Sequence, residues 1–205
     1  MPPAVKRSTY RQEQAAATQD RIATAARQLF ADQGYGATSI DAIAAAAGVA
    51  VRTVYSAFGT KREILSRICD RWLEQSGARE RVGQVLAEED PIKRLRGAAN
   101  WLRALYEADF AVVLIFEAAV DEDAETRALL RSKLEGRNEV MDLLIASLKD
   151  HLAVPLDQAQ AIYRALAAGG VYRELVEESG WSPAQFEQWA GDLLEHQLLR
   201  PSTKS

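Results

Sequence analysis

The stretch from residue 48 to 65, GVAVRTVYSAFGTKREIL, combines side chains that suit contact with a nucleic acid. Arginine can bind guanine through two hydrogen bonds, threonine offers a hydroxyl or a methyl group, and a tyrosine hydroxyl can reach a phosphate. Apolar residues three or four apart predict the buried face of a helix, formed by Val51, Val54 and Phe58. The outward positions are then Arg52, Thr53 and Ser56, with Tyr55 at the border.

Two predicted helix starts beside this stretch supply groups for phosphate. Thr38 is the predicted N-cap of one helix, and Thr60 with Glu63 forms the capping box Thr-x-x-Glu at the start of another. The first amides of a helix lack partners within it, so they bind anions. We therefore expect phosphate contacts near Thr38 and Ser39 and near Thr60 and Lys61, where the lysine adds a charge.

Three short helices must position these groups. The first stops at Gly34, the second runs from Thr38 to Gly48, and the third carries the arginine. Two short helices joined across a glycine-containing turn, with a preceding helix as support, match the helix-turn-helix arrangement, whose second helix enters the major groove of DNA. Such shapes also occur in proteins that never touch DNA, so periodicity alone leaves DNA binding open.

Charge is distributed unevenly along the 205 residues. The first 62 residues contain eight basic and four acidic side chains, whereas the remainder contains 17 basic and 25 acidic ones. Local field rather than total charge determines attraction to a polyanion, so the basic front is the expected nucleic-acid surface despite a net charge of −4. Uneven solvated faces would produce a similar division.

Several other classes of protein have no support in the sequence. Cys69 is the only cysteine, and His151 and His196 lack companion ligands, so neither a metal site nor a disulfide framework is predicted, and no cofactor is expected. No apolar run approaches a membrane span, and a cytoplasmic location follows as an expectation. GYGATS has glycines but follows a helix and lacks a third glycine, and no catalytic motif is visible, so an enzyme is not predicted.

The rest of the chain shows helical periodicity and no convincing alternation typical of strands. A helix beginning at Thr60 is expected to bury an apolar stripe ending at Trp72. Asp90-Pro91 and Ser182-Pro183 each place a capping side chain before a proline suited to the first helical position. The longer helices are predicted near 91–107, 109–119, 124–151, 157–178 and 183–199. Short connections between them favour an antiparallel bundle.

The residues from Thr18 to about Trp72 resemble the DNA-binding domain of TetR-family transcriptional regulators. The matching motifs are AA-x-x-LF in the first helix, G-Y-x-x-T-S-I before the second, I-A-x-x-A-G-V at the turn, and T-V-Y-x-x-F-x-x-K leading into the fourth. The resemblance covers roughly a quarter of the chain. It implies an all-α fold of about nine helices, with an N-terminal three-helix helix-turn-helix domain and a larger helical bundle that binds a small ligand and forms a homodimer.

The resemblance also implies roles for individual residues. Phosphate contacts are expected from Thr38, Ser39 and Lys61. Base readout is expected from Val51, Arg52 and Thr53, and backbone or base contacts from Tyr55 and Ser56. One position departs from the pattern, because family members often have serine where this chain has Ala50, and alanine cannot cap a helix.

The larger bundle gives weaker predictions. Aromatic and apolar side chains with a few polar ones could line a ligand pocket, and the candidates are Asn100, Trp101, Leu105, Tyr106, Phe110, Leu114, Glu117, Arg137, Met141 and Tyr163. The alternative is that the aromatic side chains are core and Glu117 lies on an exposed stripe. An association surface is predicted on the last two helices, at Ile162, Leu166, Gly169, Arg173, Trp189, Leu193, Leu194 and Leu198. Packing within one chain is the alternative there.

We therefore predict a flexible basic arm over residues 1–17, a DNA-binding domain over 18–77 and an effector-binding and dimerisation domain over 78–205. The functional hypothesis is a dimeric repressor that leaves a near-palindromic DNA operator when an unknown small molecule binds. No membrane partner is expected. The alternative hypothesis is a helical small-molecule-binding protein or enzyme that keeps a vestigial helix-turn-helix domain.

Overall fold

The computed structural model describes residues 4–200, and within them regular secondary structure is entirely helical, as predicted. Eleven α-helices follow one another: α1 (Ala4–Gln33), α2 (Ile40–Ala47), α3 (Val51–Phe58), α4 (Lys61–Gln75), α5 (Ala78–Ala87), α6 (Pro91–Ala108), α7 (Phe110–Ala119), α8 (Ala124–Ala146), α9 (Leu156–Leu166), α10 (Gly169–Tyr172) and α11 (Pro183–Leu198). A short 3-10 helix spans Lys149–His151, and a π-helix spans Arg173–Glu178.

The chain divides into two compact units. The first contains the residues up to Arg71 together with Leu114–Leu130, and the second contains Trp72–Val113 and Arg131 onward. The core of the first unit is built from small and branched apolar side chains of α1 to α4 and of its second segment, including Ile22, Ala26, Phe30, Ile43, Val54, Ile64, Leu65, Ile115 and Ala119. The predicted boundary at residue 77 remains a prediction.

Three of the predicted helix starts have the expected capping geometry. The Thr60 hydroxyl accepts from the Glu63 amide at 3.2 Å, and the Glu63 carboxylate accepts from the Thr60 amide at 3.1 Å. Asp90 accepts from the amides of residues 92 and 93, and Ser182 forms a capping box with Gln185. Local sequence decides these positions because a cap needs only the side chains of one helical turn.

The predicted start of α2 is corrected by one residue. Ser39, not Thr38, is the N-cap, and its hydroxyl accepts from the Ala42 amide at 3.1 Å. The Thr38 hydroxyl instead donates to the carbonyl of Gly34 at 2.8 Å, and the side chain is buried. Thr38 therefore ties the turn to the end of α1, because a buried hydroxyl needs a partner within the protein.

The N-terminal segment also differs from its prediction. Residues 4–17, assigned from the sequence to a flexible arm, continue α1, and residues 1–3 lie outside the described part of the chain. Tyr10 and residues 11–17 are exposed along this extension. QEQAAATQD is rich in good helix formers and contains neither glycine nor proline, so no residue stops the helix before it reaches its packed portion.

Eleven helices replace the nine or so that were expected, for two reasons. The helix predicted over 157–178 is divided into α9, α10 and the π-helix, with a break at Ala167 and Ala168. The adjacent glycines Gly169 and Gly170 lower helix propensity at this break. In addition, α5 was not predicted, although Ala78, Val82 and Val85 have helical spacing.

The core of the second unit contains several large aromatic side chains, and the polar atoms of three of them are bonded to the main chain. The Trp72 indole donates to the carbonyl of Leu105 at 2.6 Å, and that of Trp101 donates to Ala78 at 3.1 Å. The Tyr163 hydroxyl donates to Ala98 at 2.7 Å. These bonds allow large amphipathic side chains to be buried without leaving an unpaired donor.

Within residues 4–200, no single helix has both the length and the apolar composition needed to cross a membrane. The α2–α3 pair passes that test only when its two helices are taken together, and it is bent by 104° at the intervening turn.

Candidate nucleic-acid interface

The α2–α3 pair has the geometry of a helix-turn-helix. Gly48 ends α2 in the left-handed conformation, with φ of 64°, and its amide bonds back to the last turn of α2. The two helices meet at 104°, within the usual range of about 90–120° for this motif. Ile43 and Ala44 of α2 and Val54 of α3 are buried. The inward side of both helices is thus fixed by packing, which determines the side that α3 exposes.

The exposed face of α3 contains most of the predicted reading residues. Arg52 and Ser56 are exposed, and Tyr55 retains 54% of its accessible surface. Thr53 and Val51 are half-buried, so each offers only part of its side chain. At this exposure both the ring and the hydroxyl of Tyr55 are available for contact with a partner. An arginine, a tyrosine and a serine therefore share one solvent-facing surface on the second helix of the motif.

Ala50 occupies the N-cap of α3 and makes no capping hydrogen bond. Replacing it with serine should raise the free energy of unfolding by about 0.5–1 kcal/mol, because a hydroxyl there can accept from an otherwise unpaired amide. Thermal unfolding of the two proteins measures the change. Ala46→Ser is the matched control, since residue 46 is exposed inside α2, where serine is less favourable than alanine. An unchanged or lower midpoint for Ala50→Ser would contradict the assigned start of α3.

The residues predicted to contact phosphate at the starts of α2 and α4 differ in their exposure to solvent. Ser39 and Thr60 are exposed at the N-termini of α2 and α4. Thr38 is only 2% exposed and its hydroxyl is used internally, so the prediction that its side chain contacts phosphate is corrected. Ser39 is the side chain that remains available beside the first amides of α2.

The Lys61 side chain forms hydrogen bonds within the protein and does not extend into solvent. Its ammonium donates to the carbonyls of Tyr35 at 2.6 Å and Thr38 at 3.1 Å, and it lies 4.3 Å from the centre of the Tyr35 ring. Burial lowers the pKa of Lys61 from its ordinary value. These bonds fix the turn between α1 and α2 to the start of α4, and a phosphate would have to compete with them.

A short segment of the first unit, residues 120–126, contacts the same turn. The Tyr35 hydroxyl lies 3.4 Å from that of Thr126, and both side chains are buried. Arg62, at the start of α4, forms an ion pair with Glu125. No role was predicted for these four residues, because the tyrosine of the G-Y-x-x-T motif is the only local signal among them. Residues 120–126 therefore contact the turn before α2 and the start of α4, both of which flank the helix-turn-helix.

Asp123 organises this segment. Its carboxylate accepts from the Thr126 hydroxyl and from the Thr126 amide, both at 2.7 Å, and these hydrogen bonds lower the pKa of Asp123 below its ordinary value of 3.8. A carboxylate with a lowered pKa stabilises the fold above its unfolded-state pKa. That contribution to stability disappears as the pH falls through the pKa that Asp123 has in the folded protein.

Asp123→Ala should therefore lower the melting temperature at neutral pH, because the first turn of α8 loses its cap and the buried Thr126 hydroxyl loses an acceptor. The difference from the wild type should shrink as the pH is lowered through the region below 3.8. Melting curves over an acid pH series test both points. A difference that is constant with pH would contradict the assigned role of the charge.

The residues predicted to line a ligand pocket are mostly core. Trp101, Leu105, Tyr106, Phe110, Met141 and Tyr163 are buried in the second unit. Asn100 is half-buried, accepting from Arg81 at 2.7 Å and donating to Glu187 at 3.1 Å. Leu114 and Glu117 belong to the first unit and are exposed, as the alternative interpretation of Glu117 anticipated. A pocket formed by all ten residues remains a prediction.

Arg137 differs from the other candidates. It is half-buried on α8, its Nη1 lies 3.4 Å from the carbonyl of Ala167, and its Nη2 lies 3.4 Å from the Asn138 side chain. Its Nε is buried without a hydrogen-bond partner. The predicted polar group with the least satisfied hydrogen bonding in this core is therefore the arginine.

The predicted association surface is partly corrected. Leu166, Gly169, Leu194 and Leu198 are buried within the chain, because α11 packs the stripe beginning at Phe186 inward. Ile162, Arg173, Trp189 and Leu193 are half-buried. The sequence shows that α11 is apolar on two sides, but it does not show which side meets α6.

The outer side of α11 forms a shallow groove of about 610 Å³. Its lining residues are Trp181, Gln185, Gln188, Trp189, Asp192, Leu193, His196 and Gln197. The rings of Trp181 and Trp189 meet edge to face, with centroids 6.2 Å apart. An apolar centre with a polar rim is typical of protein interfaces, and tryptophan is enriched at their strongest contacts.

Comparison with known proteins agrees with this geometry. Residues 22–68 match the family model described as bacterial regulatory proteins, tetR family. This range covers α2 and α3 completely, together with the C-terminal part of α1 and the first half of α4. No curated protein is similar enough in sequence to count as a match.

Within the described residues, no cluster of three or more histidine, cysteine or acidic side chains is suited to a metal ion.

Solved structures extend the similarity of the fold to most of the chain. The fatty acid degradation regulator FadR from Bacillus halodurans superposes with a TM-score of 0.71 at 21% identity, over 86% of this chain and 94% of that one. FadR from Bacillus subtilis, solved with stearoyl-CoA, gives 0.68 at 18%, over 85% and 96%. A putative transcriptional regulator from Saccharomonospora viridis, solved with choline, gives 0.70 at 21%, over 90% and 99%.

Proposed function

We propose that this chain, a member of the tetR family of bacterial regulatory proteins, is a dimeric repressor that a small-molecule effector releases from its operator. The observation that carries the proposal is the solvent-facing surface of α3, where Arg52, Tyr55 and Ser56 lie on the second helix of a family-matched helix-turn-helix. Arg52 and Thr53 read bases in the major groove, while Tyr55 and Ser56 contact the backbone or bases. The exposed Ser39 at the start of α2 contacts phosphate.

A dimer is supported by the outer side of α11. Trp181, Trp189 and Leu193 contribute apolar surface to the groove, and a two-fold interface would bury the same patch on both copies. Two copies of α3 would then enter successive major grooves, roughly 34–36 Å apart, on a near-palindromic site. The protein acts in the cytoplasm, where the DNA is, and it is not an enzyme.

An effector is supported by the solved relatives, because one was crystallised with stearoyl-CoA and another with choline. These two ligands differ in charge and in size, so they support ligand binding without identifying the ligand here. Effector binding shifts the dimer toward a spacing of the two α3 helices that DNA does not fit. This shift requires only that the effector binds one spacing more tightly than the other.

Gel-shift selection with genomic fragments tests the proposal. We expect a small set of near-palindromic fragments to bind specifically, and the affinity to fall steeply as salt is raised, because phosphate contacts release counterions. Absence of any specific fragment would overturn the regulator and favour a binding protein with a vestigial motif. Light scattering at micromolar concentration tests the dimer separately, and a persistent monomer would contradict it.

A further inference from the structure

The starting observation is the charge of Arg137. Among the ion pairs of residues 4–200, none includes Arg137, and its two hydrogen bonds are both 3.4 Å long, at the weak end of the range. Its Nε is buried and unbonded. Two other arginines of the second unit have carboxylate partners, since Arg96 binds Asp192 and Glu195 and Arg164 binds Asp142. A partly buried guanidinium without an anion is costly.

The position of Arg137 is also unusual because the main chain beside it is irregular. The carbonyl of Ala167, at the break between α9 and α10, accepts from both Arg137 and the buried Tyr106 hydroxyl. The π-helix Arg173–Glu178 follows α10 directly. Helix breaks and π-helices occur frequently at functional sites. Two donors thus converge on one carbonyl at the end of α9, where the α-helical hydrogen bonding is interrupted before α10.

A buried cluster of aromatic rings lies next to this polar centre. The Tyr106 ring is 4.8 Å from that of Tyr172 and 5.6 Å from that of Phe110, and Phe186 lies 5.0 Å from Tyr172. Burial among these rings raises the pKa of Tyr172 to about 12. A ligand held at Arg137 would therefore have its apolar part against aromatic rings.

From this arrangement we propose that Arg137 binds the head group of the effector, and that the effector is a monocarboxylate with an apolar chain. The carboxylate accepts two hydrogen bonds from the guanidinium in place of the Ala167 carbonyl, and the Tyr106 hydroxyl donates to the same group. A single negative charge matches a single cation, and planar carboxylate matches the planar guanidinium. The inference rests on the proposed function, of which it specifies the effector class.

Calorimetric titration of the full-length protein tests the site. The probes are hexanoate, decanoate and hexadecanoate, each paired with the alcohol of the same chain length. We expect at least one carboxylate to bind the wild type at least about tenfold more tightly than its alcohol, because charge-assisted hydrogen bonds are stronger than neutral ones. If no carboxylate binds, or if an alcohol binds equally well, the inference is overturned.

Arg137→Gln should weaken binding of that carboxylate at least about tenfold and leave binding of the alcohol unchanged. Arg131→Gln is the matched control, because Arg131 is exposed on the same helix. The Arg131→Gln protein should bind the carboxylate with the affinity of the wild type. Arg137→Lys keeps the charge without the planar fork and should be intermediate. Equal affinity of the Arg137→Gln and wild-type proteins would overturn the assignment, provided that melting curves show both folded. If Arg137→Gln does not fold, Arg137→Lys decides, and wild-type affinity in it overturns the inference.

Failure of this inference is distinguishable from failure of the regulator. The calorimetric titration is carried out without DNA, and the gel shift is carried out without a carboxylate. Arg137-dependent carboxylate binding without specific DNA binding would keep the site and reject the regulator. Specific DNA binding together with carboxylate binding indifferent to Arg137 would keep the regulator and reject the site.

Discussion

Replacing Arg52 with alanine should weaken specific DNA binding by about 1–3 kcal/mol at each half-site, which is roughly a tenfold to hundredfold loss. Arg52 is exposed on α3, one residue after the first residue of that helix, and the N-terminal residues of a recognition helix contact the base edges. Its removal should also relax the preference for the base pair that it contacts. Fluorescence anisotropy with the selected operator and with single-base variants measures both effects.

Arg79→Ala is the matched control, because Arg79 is exposed on α5 and its loss changes the net charge equally. Its affinity for the operator should equal that of the wild type. Tyr55→Phe removes only a hydroxyl, and if that hydroxyl contacts phosphate the loss should be smaller and similar for all sequences. Specific binding that is insensitive to both Arg52→Ala and Tyr55→Phe would reject α3 as the recognition helix.

The parts of the fold that were predictable from sequence depend on interactions within one or two helical turns. Thr60 with Glu63, Asp90 with Pro91 and Ser182 with Pro183 each start a helix where expected. Gly34 and Gly48 both have positive φ at helix ends. These positions were predictable because capping and the left-handed conformation involve only nearby residues.

The errors arise where a distant contact decides between two local solutions. Thr38 and Ser39 are both good caps, and Ser39 caps α2 because the Thr38 hydroxyl is used by Gly34. Leu194 was predicted on the association surface together with Leu193, yet Leu194 is buried within the chain whereas Leu193 is half-buried. Periodicity predicts that a face is apolar, but it does not identify the partner that covers it.

The exposed residues of the candidate DNA-binding site were more predictable from sequence than the buried contacts that hold the turn before α2. Arg52, Tyr55 and Ser56 are exposed on α3 as their spacing indicated. Tyr35 and Thr126 meet although 91 residues separate them, and no local pattern in the sequence predicts that contact. The buried tyrosine and threonine hold the turn before α2 against a segment far along the chain. Long-range contacts of this kind arise from packing of the whole unit.

Leu193→Glu should convert the proposed dimer to a monomer at micromolar concentration and abolish high-affinity operator binding. Leu193 and Trp189 both line the α11 groove, and a two-fold interface through this groove would bury the new glutamate on both copies. An unpaired buried charge costs on the order of 3–5 kcal/mol, so two of them exceed what polar rim contacts can offset. Light scattering measures the mass, and anisotropy measures the affinity.

Leu143→Glu is the matched control, because Leu143 is 50% exposed on α8 and receives the same substitution outside α11. It should remain dimeric and bind the operator as the wild type does. Melting curves must show that Leu193→Glu is folded, since this leucine is half-buried in the isolated chain. A folded Leu193→Glu protein that still dimerises would place the association surface elsewhere. A monomer that keeps full operator affinity would show that one copy of α3 is sufficient, and it would contradict the proposed near-palindromic operator.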